Sequence, residues 1–379
     1  MASSFADMAS SFAGSASPVH RLHSEAGQSP WLDNLQRGWL RDGELARWVQ
    51  RGVRGVTSNP TIFAKAMQDA VYDEQLHQVL ATGATVETAY WELVVADIVG
   101  AADVLQPLYQ ASGGTDGFVS VEVDPRLAHQ SGATVAAAGD LARRIERPNL
   151  LVKVPATTAG VDAIQRLIAE RISVNVTLIF SLARYREVME AYLGGLEEAA
   201  GELSGVASVA SFFVSRVDAE VDKRLAALGT PQAAAMAGQA AVANARLAYA
   251  AFRETFSGPR WDRLAARGAR VQRPLWASTS TKNPSYPDTL YVDSLIGPDT
   301  VNTLPEATLV AFEDHGTVAR TVDDEAGVLG AHRLAEQLAS LGIKMNEVTD
   351  QLEADGVASF SSSFEEEVLA TLAELAFRS

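Results

Sequence analysis

Short apolar runs alternate with longer amphipathic stretches along most of the chain. The short runs are PWLDN (30–34), GVTSN (55–59), FVSVEVD (118–124), LLVKV (150–154), ISVNVTL (172–178), ASVASFF (207–213), PLWAST (274–279) and VNTL (301–304). Their length, β-branched content and turn-rich flanks predict strands. Helical periodicity or Ala-rich character predicts helices over 64–81, 86–112, 133–146, 160–170, 181–201, 216–228, 231–256 and 306–314. Eight strand–helix units in series predict an α/β fold, a (β/α)8 TIM barrel with a closed parallel sheet inside a ring of helices. The surplus length falls in an N-terminal segment, two inserts (64–117 and 222–271) and a C-terminal helical extension (325–378). No linker-like break divides residues 30–379, so one domain is expected there. An open doubly wound sheet is the competing architecture. It would want a Gly-rich phosphate turn after its first strand, which LDNLQRG (32–38) does not supply.

Residues 1–29 are rich in Ser, Ala and Gly and carry a near-repeat, MASSFAD then MASSFAG. They lack the continuous apolar core of a secretory signal. A mostly disordered or weakly ordered tail is expected, with a first helix near 19–26.

Within the strands the period of two separates chemistry. Val119, Val121 and Val123 share one face of the third strand, and Ser120 and Glu122 the other. Val174, Val176 and Leu178 likewise oppose Ser173, Asn175 and Thr177, while Leu151 and Lys153 oppose Leu150, Val152 and Val154. A strand buried on both faces is expected to be apolar throughout. Here the apolar face belongs against the helices and the polar face inside the barrel. That places Asp33, Asn59, Glu122, Lys153, Asn175, Thr177 and Ser211 together, mostly near strand C-termini, where barrel active sites form.

Composition narrows the chemistry. With 31 basic and 47 acidic residues the net charge is -16, which argues against nucleic acid or an anionic membrane as partner. No apolar run reaches the length of a membrane span. The chain has no cysteine, which removes disulfides, thiolate metal sites and thiol nucleophiles. Its six histidines show no ligand spacing, so no metal is expected. Lysine is scarce: Lys65, Lys153, Lys223, Lys282 and Lys344, against 26 arginines.

A lysine inside an apolar strand is therefore unusual here. Only an amine attacks a carbonyl to form an imine, and desolvation favours an amine's neutral, nucleophilic form. The competing reading of Lys153 is a structural ion pair with Glu122. Glu122 and Asp33 suit paired acid–base work, or else charge compensation. Asn59 also fits an ordinary helix N-cap before Pro60. Asn175 in mid-strand requires partners for its buried amide, whereas Thr177 is an unexceptional strand residue. Arg216 and Lys282 follow the sixth and seventh strands, where barrels often bind phosphate. Alternatively, Arg216 pairs with Asp218 or Glu220 on its own helix.

The segments GVTSNPTIF (55–63) and LLVKVPATTAGVDAIQRL (150–167) resemble the two signature segments of the transaldolases. The similarity continues through ISVNVTLIFSLARY (172–185), SFFVSR (211–216), LWASTSTKNPSY (275–286), NTLPEATL (302–309) and LEADGVASFSSSFEEEVL (352–369). It covers nearly everything except the N-terminal segment, in the form of the long actinobacterial members. The resemblance implies a class I aldolase mechanism with no cofactor, in the cytoplasm, by a monomer or homodimer acting on phosphorylated sugars. It implies Lys153 as the Schiff-base amine, Asp33 as acid–base, and Glu122 with Thr177 as holders of the water of imine chemistry. It further implies that Asn59, Asn175 and Ser211 bind the dihydroxyacetone unit and that Arg216 binds phosphate. Lys282 stands where shorter members carry a nearby arginine. The implied reaction moves dihydroxyacetone from sedoheptulose 7-phosphate to glyceraldehyde 3-phosphate in the non-oxidative pentose phosphate pathway. Fructose 6-phosphate aldolases are the close alternative; they carry Gln where Glu122 stands and Tyr where Phe213 stands. A non-catalytic sugar-phosphate-binding barrel is the alternative of a different class.

Overall fold

A computed structural model describes residues 17–377. Its strands are β1 (Gln28–Leu32), β2 (Gly55–Val56), β3 (Phe118–Glu122), β4 (Leu150–Pro155), β5 (Val174–Ile179), β6 (Ser208–Phe213), β7 (Arg273–Ala277) and β8 (Thr300–Leu304). All pair in parallel and in sequence order, and β8 returns to β1 in register Leu32↔Leu304, closing the barrel. Closure excludes the open doubly wound sheet.

Both faces of the strands are buried, and what alternates is chemistry. Val119, Val121, Val152, Val154, Val174 and Val176 are at most 1% exposed on the outer face. On the inner face Glu122 lies in register with Lys153, and Lys153 with Asn175. All three are buried as well.

Several predicted elements change their limits for local reasons. β2 ends at Val56, so Thr57, Ser58 and Asn59 form the loop above it. The predicted helix 64–81 divides into Pro60–Ala66 and Asp73–Ala81. Between them the Asp69 carboxylate accepts from Val71 N at 2.9 Å, offering the backbone a turn in place of a helix. The predicted helix 231–256 divides into Pro231–Ala234 and Ala240–Thr255 around Gly238, at φ +73°. A Cβ there would come within 2.7 Å of the Tyr286 ring, so only glycine fits.

Residues 1–16 of the expected tail lie outside the described residues. The remainder enters regular elements: helix Pro18–Ala26 buries Val19, Leu22 and Ala26, and β1 begins at Gln28, ahead of the predicted start. This helix packs against β1, and its His23 belongs to a four-membered charge cluster at the N-terminal mouth of the barrel. There Asp116, 1% exposed, meets Arg54 at 2.7 Å, Arg273 at 3.2 Å and His23 at 3.4 Å. Burial works to raise the Asp116 carboxyl, but Arg273 and Arg54 overcome it and hold it below the usual carboxylate range.

The C-terminal extension returns to the other mouth. Helix Met345–Ser362 passes into a π-helical stretch, Ser363–Leu369, and then into helix Ala370–Phe377. Phe364 meets Tyr90 and Trp91 at ring distances of 5.2 and 6.2 Å, and Ser363 Oγ accepts from Thr61 at 3.1 Å. The extension thus braces helix Pro60–Ala66 at the top of β2. Among the described residues no helix is long and apolar enough to cross a membrane.

Candidate active site

The C-terminal mouth opens into a cavity of about 330 Å³. Asp33, Asn59, Lys153, Thr177, Ser211, Arg216 and Lys282 all line it. Seven of its lining side chains carry hydroxyls, a wall suited to a polyol. Two expected residues stand off the cavity. Asn175 is fully buried below it, donating to Ser120 Oγ at 2.9 Å and accepting from Ser211 Oγ at 2.7 Å. It therefore sets the direction of a cavity residue. Glu122 stands behind Lys153, among Ser58, Pro60, Tyr90 and Trp91.

Lys153 is 6% exposed, and its Nζ donates to the Ser58 carbonyl at 3.0 Å and stands 3.4 Å from Glu122 Oε2. The structural ion pair and the cavity position are thus both present. Glu122 Oε2 and Thr177 Oγ1 are buried with no hydrogen-bond partner. Burial raises the Glu122 carboxyl above its ordinary value; Lys153 opposes the rise and Asp33 adds to it. Burial likewise raises Asp33, against the pull of Lys153 and Lys282. Asp33 follows directly on β1, where its N–H donates to the Leu304 carbonyl at 3.0 Å.

Asn59 does fill the capping role: its Oδ1 accepts from Ile62 N at 2.9 Å, ahead of Pro60. Capping fixes the side chain at the cavity edge, so the two readings coexist.

The backbone at the mouth departs from regular strands in two places. Leu178 takes φ +60° where the β5–β6 register shifts between Val176 and Ile179. Ser278 takes φ +56° just after β7. Non-glycine residues in this region cost strain and concentrate at functional sites. Ser278 also joins the two loops, because its carbonyl accepts from Ser215 N at 3.0 Å and its hydroxyl meets Ser215 Oγ at 2.9 Å. Arg216 and Lys282 are thereby fixed to adjoining segments. Neither Asp218 nor Glu220 pairs with Arg216: Asp218 accepts from Tyr291 and Ala241, and Glu220 from Lys223 and Arg224. The half-buried Arg216 guanidinium lies 5.4 Å from the Phe213 ring centre, and burial lowers its proton affinity. Among the described residues it has no acidic partner.

Lys65, Ser278, Ser280 and Phe360 also line the cavity and escaped the sequence reading. The scarcity of lysine was a usable signal for Lys65. Phe360 reaches the cavity only through tertiary packing of the C-terminal extension. Among the described residues no group of three or more His, Asp or Glu could hold a metal ion.

Comparison with known proteins matches this architecture. Residues 30–370 fit the family model described as transaldolase/fructose-6-phosphate aldolase. A transaldolase of Thermobifida fusca is 54% identical over 356 residues, covering 92% of this chain and 96% of the relative. Transaldolase 1 of Streptomyces avermitilis is 54% identical over 343 residues, 89% of this chain and 90% of the relative. A Mycobacterium ulcerans transaldolase is 52% identical over 359 residues, with 93% and 96% covered. A barrel whose buried strand lysine opens on a hydroxyl-lined cavity thus coincides with end-to-end sequence similarity, and the chain belongs to the transaldolase/fructose-6-phosphate aldolase family.

Proposed function

We propose that this chain is a cytoplasmic transaldolase of the non-oxidative pentose phosphate pathway. It moves a dihydroxyacetone unit from sedoheptulose 7-phosphate to glyceraldehyde 3-phosphate through an imine on Lys153. The observation that carries the reading is a buried amine sharing one cavity with a carboxyl group, Asp33, whose proton affinity burial has raised.

Lys153 Nζ adds to the ketone carbon and water is expelled, giving a protonated imine. Asp33 then takes the proton of the hydroxyl on the carbon that becomes the aldehyde. The carbon–carbon bond breaks, its electron pair moves into the imine, and an enamine remains. The acceptor aldehyde reverses these steps: the enamine carbon bonds to its carbonyl carbon and Asp33 returns the proton to the new hydroxyl. A carboxyl whose proton affinity burial has raised is better suited to return the proton as well as to take it. Glu122 Oε2, which has Lys153 as its ion-pair neighbour but no hydrogen bond, and Thr177 Oγ1, also buried without a hydrogen bond, supply the hydrogen bonds that hold the water of imine formation and hydrolysis. Ser211, oriented by Asn175, and Asn59 bind the hydroxyls of the three-carbon unit. Arg216, with no acid to neutralise it among the described residues, takes the phosphate.

Borohydride reduction in the presence of fructose 6-phosphate tests the mechanism, since it freezes an imine as a stable amine. Mass spectrometry is expected to place the adduct on Lys153. An adduct on another lysine, or none, overturns the reading. Transfer is separated from simple cleavage by measuring free dihydroxyacetone with and without an aldehyde acceptor. Rapid release without acceptor identifies an aldolase instead.

A further inference from the structure

Three of the five lysines in the chain, Lys65, Lys153 and Lys282, line the same cavity. Arg216 brings the lining cations to four, and Asp33 is the one lining carboxylate. In a protein of net charge -16 this is a local reversal of sign. Lys153 and Arg216 have roles in the proposed reaction, and Lys282 is held by Ser280 Oγ at 2.7 Å. Lys65 has none. Its side chain is exposed and, among the described residues, makes no hydrogen bond or ion pair.

Its backbone, by contrast, is firmly placed. Lys65 lies in helix Pro60–Ala66, which buries Phe63, Ala64 and Ala66, is capped by Asn59 and is tied through Thr61 to Ser363. A fixed stem carries a free ammonium. The ring order adds direction: this helix follows β2, and Arg216 lies in the helix that follows β6, four strands away, so the two cations approach the mouth from opposite sides. Stabilisation of the helix C-terminus accounts for a positive charge there, but any arginine would serve, and the chain otherwise favours arginine five to one.

We propose that Lys65 is a specificity residue that captures the phosphate of the incoming sugar from the β2 side, ahead of its clamping by Arg216. The proposal rests on the sugar-phosphate reading above for the identity of the anion. A compact ammonium on a flexible arm suits transient capture of a point-like dianion, whereas a half-buried guanidinium suits the final fixed geometry. An exposed cation acts through a screened field, so its contribution is modest and falls with salt.

Calorimetric binding of glucitol 6-phosphate tests Lys65 without the covalent step, because this polyol phosphate has no ketone. At low ionic strength Lys65→Gln is expected to weaken binding about threefold to fivefold. Lys65→Arg is expected to recover most of the loss, and the difference from wild type is expected to shrink in high salt. Unphosphorylated glucitol serves as the reference, and the selectivity for phosphate should fall in the Gln variant alone. Unchanged affinity in Lys65→Gln, or equal losses for both polyols, overturns the proposal. Failure of borohydride trapping on Lys153 while glucitol 6-phosphate binding still depends on Lys65 would remove the transaldolase reading and leave the anion-binding role standing.

Discussion

The two mouths of the barrel keep buried carboxylates in opposite conditions. At the N-terminal mouth Asp116 is shared by Arg54 and Arg273, and its proton affinity falls. At the C-terminal mouth Asp33 and Glu122 face Lys153, and both proton affinities rise. Burial pushes all three carboxyls in the same direction. What differs is the supply of committed cations: two arginines grip Asp116, while Lys153 meets Glu122 and a backbone carbonyl and, like Lys282, reaches Asp33 only through its field. Meanwhile Arg216 has no acidic partner among the described residues. One end is charge-satisfied and holds the structure; the other is left ready for a substrate's charge and protons.

The contrast is broken most severely at Lys153. Lys153→Arg retains a cation beside Glu122 but cannot form an imine, so kcat is expected to fall at least ~10³-fold while the fold persists. Circular dichroism and trapping assays check this, and a loss under tenfold would remove the amine from the chemistry. At the opposite mouth, Asp116→Asn leaves two arginines without a counter-charge. It is expected to cost about 3–5 kcal/mol in urea unfolding, with kcat of the folded fraction near that of wild type. Arg216→Ala comes next: loss of a charge-assisted contact of about 1.5–3 kcal/mol raises KM for phosphorylated donors roughly tenfold or more, with kcat less affected. The smallest effect is the pH dependence of stability. Asp33 has a raised folded proton affinity, so its stabilisation is complete below about pH 4, the unfolded value, and is lost as pH rises through the folded one. Asp116 behaves inversely, with its stabilisation present above the unfolded value and lost as pH falls through the depressed folded one. Asp33→Asn should flatten the first slope and Asp116→Asn the second, read from urea midpoints across pH.

The sequence disclosed the polar inner face because strand periodicity is a local property. Glu122, Lys153 and Asn175 announce themselves as polar residues between valines, and the register then brings them side by side. Asn59 was legible as a cap and is also a cavity residue, since capping and display use different atoms of the same amide. Features that depend on distant partners were not legible. The helix break at Gly238 is imposed by Tyr286, 48 positions further along the chain. The separation of Asn175 from the cavity depends on Ser211 lying above it. Phe360 reaches the site from the C-terminal extension, and no periodicity within its own helix marks that destination.

The β1–β8 seam has a consequence for the order in which the protein acquires its competence. Asp33 is held by the Leu304 carbonyl, and next to it Asn34 donates to Glu306, 272 residues away in sequence, at 2.7 Å. Contacts of such separation carry the largest loop-closure cost and form late. Lys153, by contrast, is placed by β3, β4 and β5, which are neighbours in sequence as well as in space. A folding intermediate with the seam still open would therefore own the proposed nucleophile but lack the proposed proton carrier. Such a species would trap a ketone and go no further, which makes borohydride labelling a clock for barrel assembly and sugar turnover a clock for its closure.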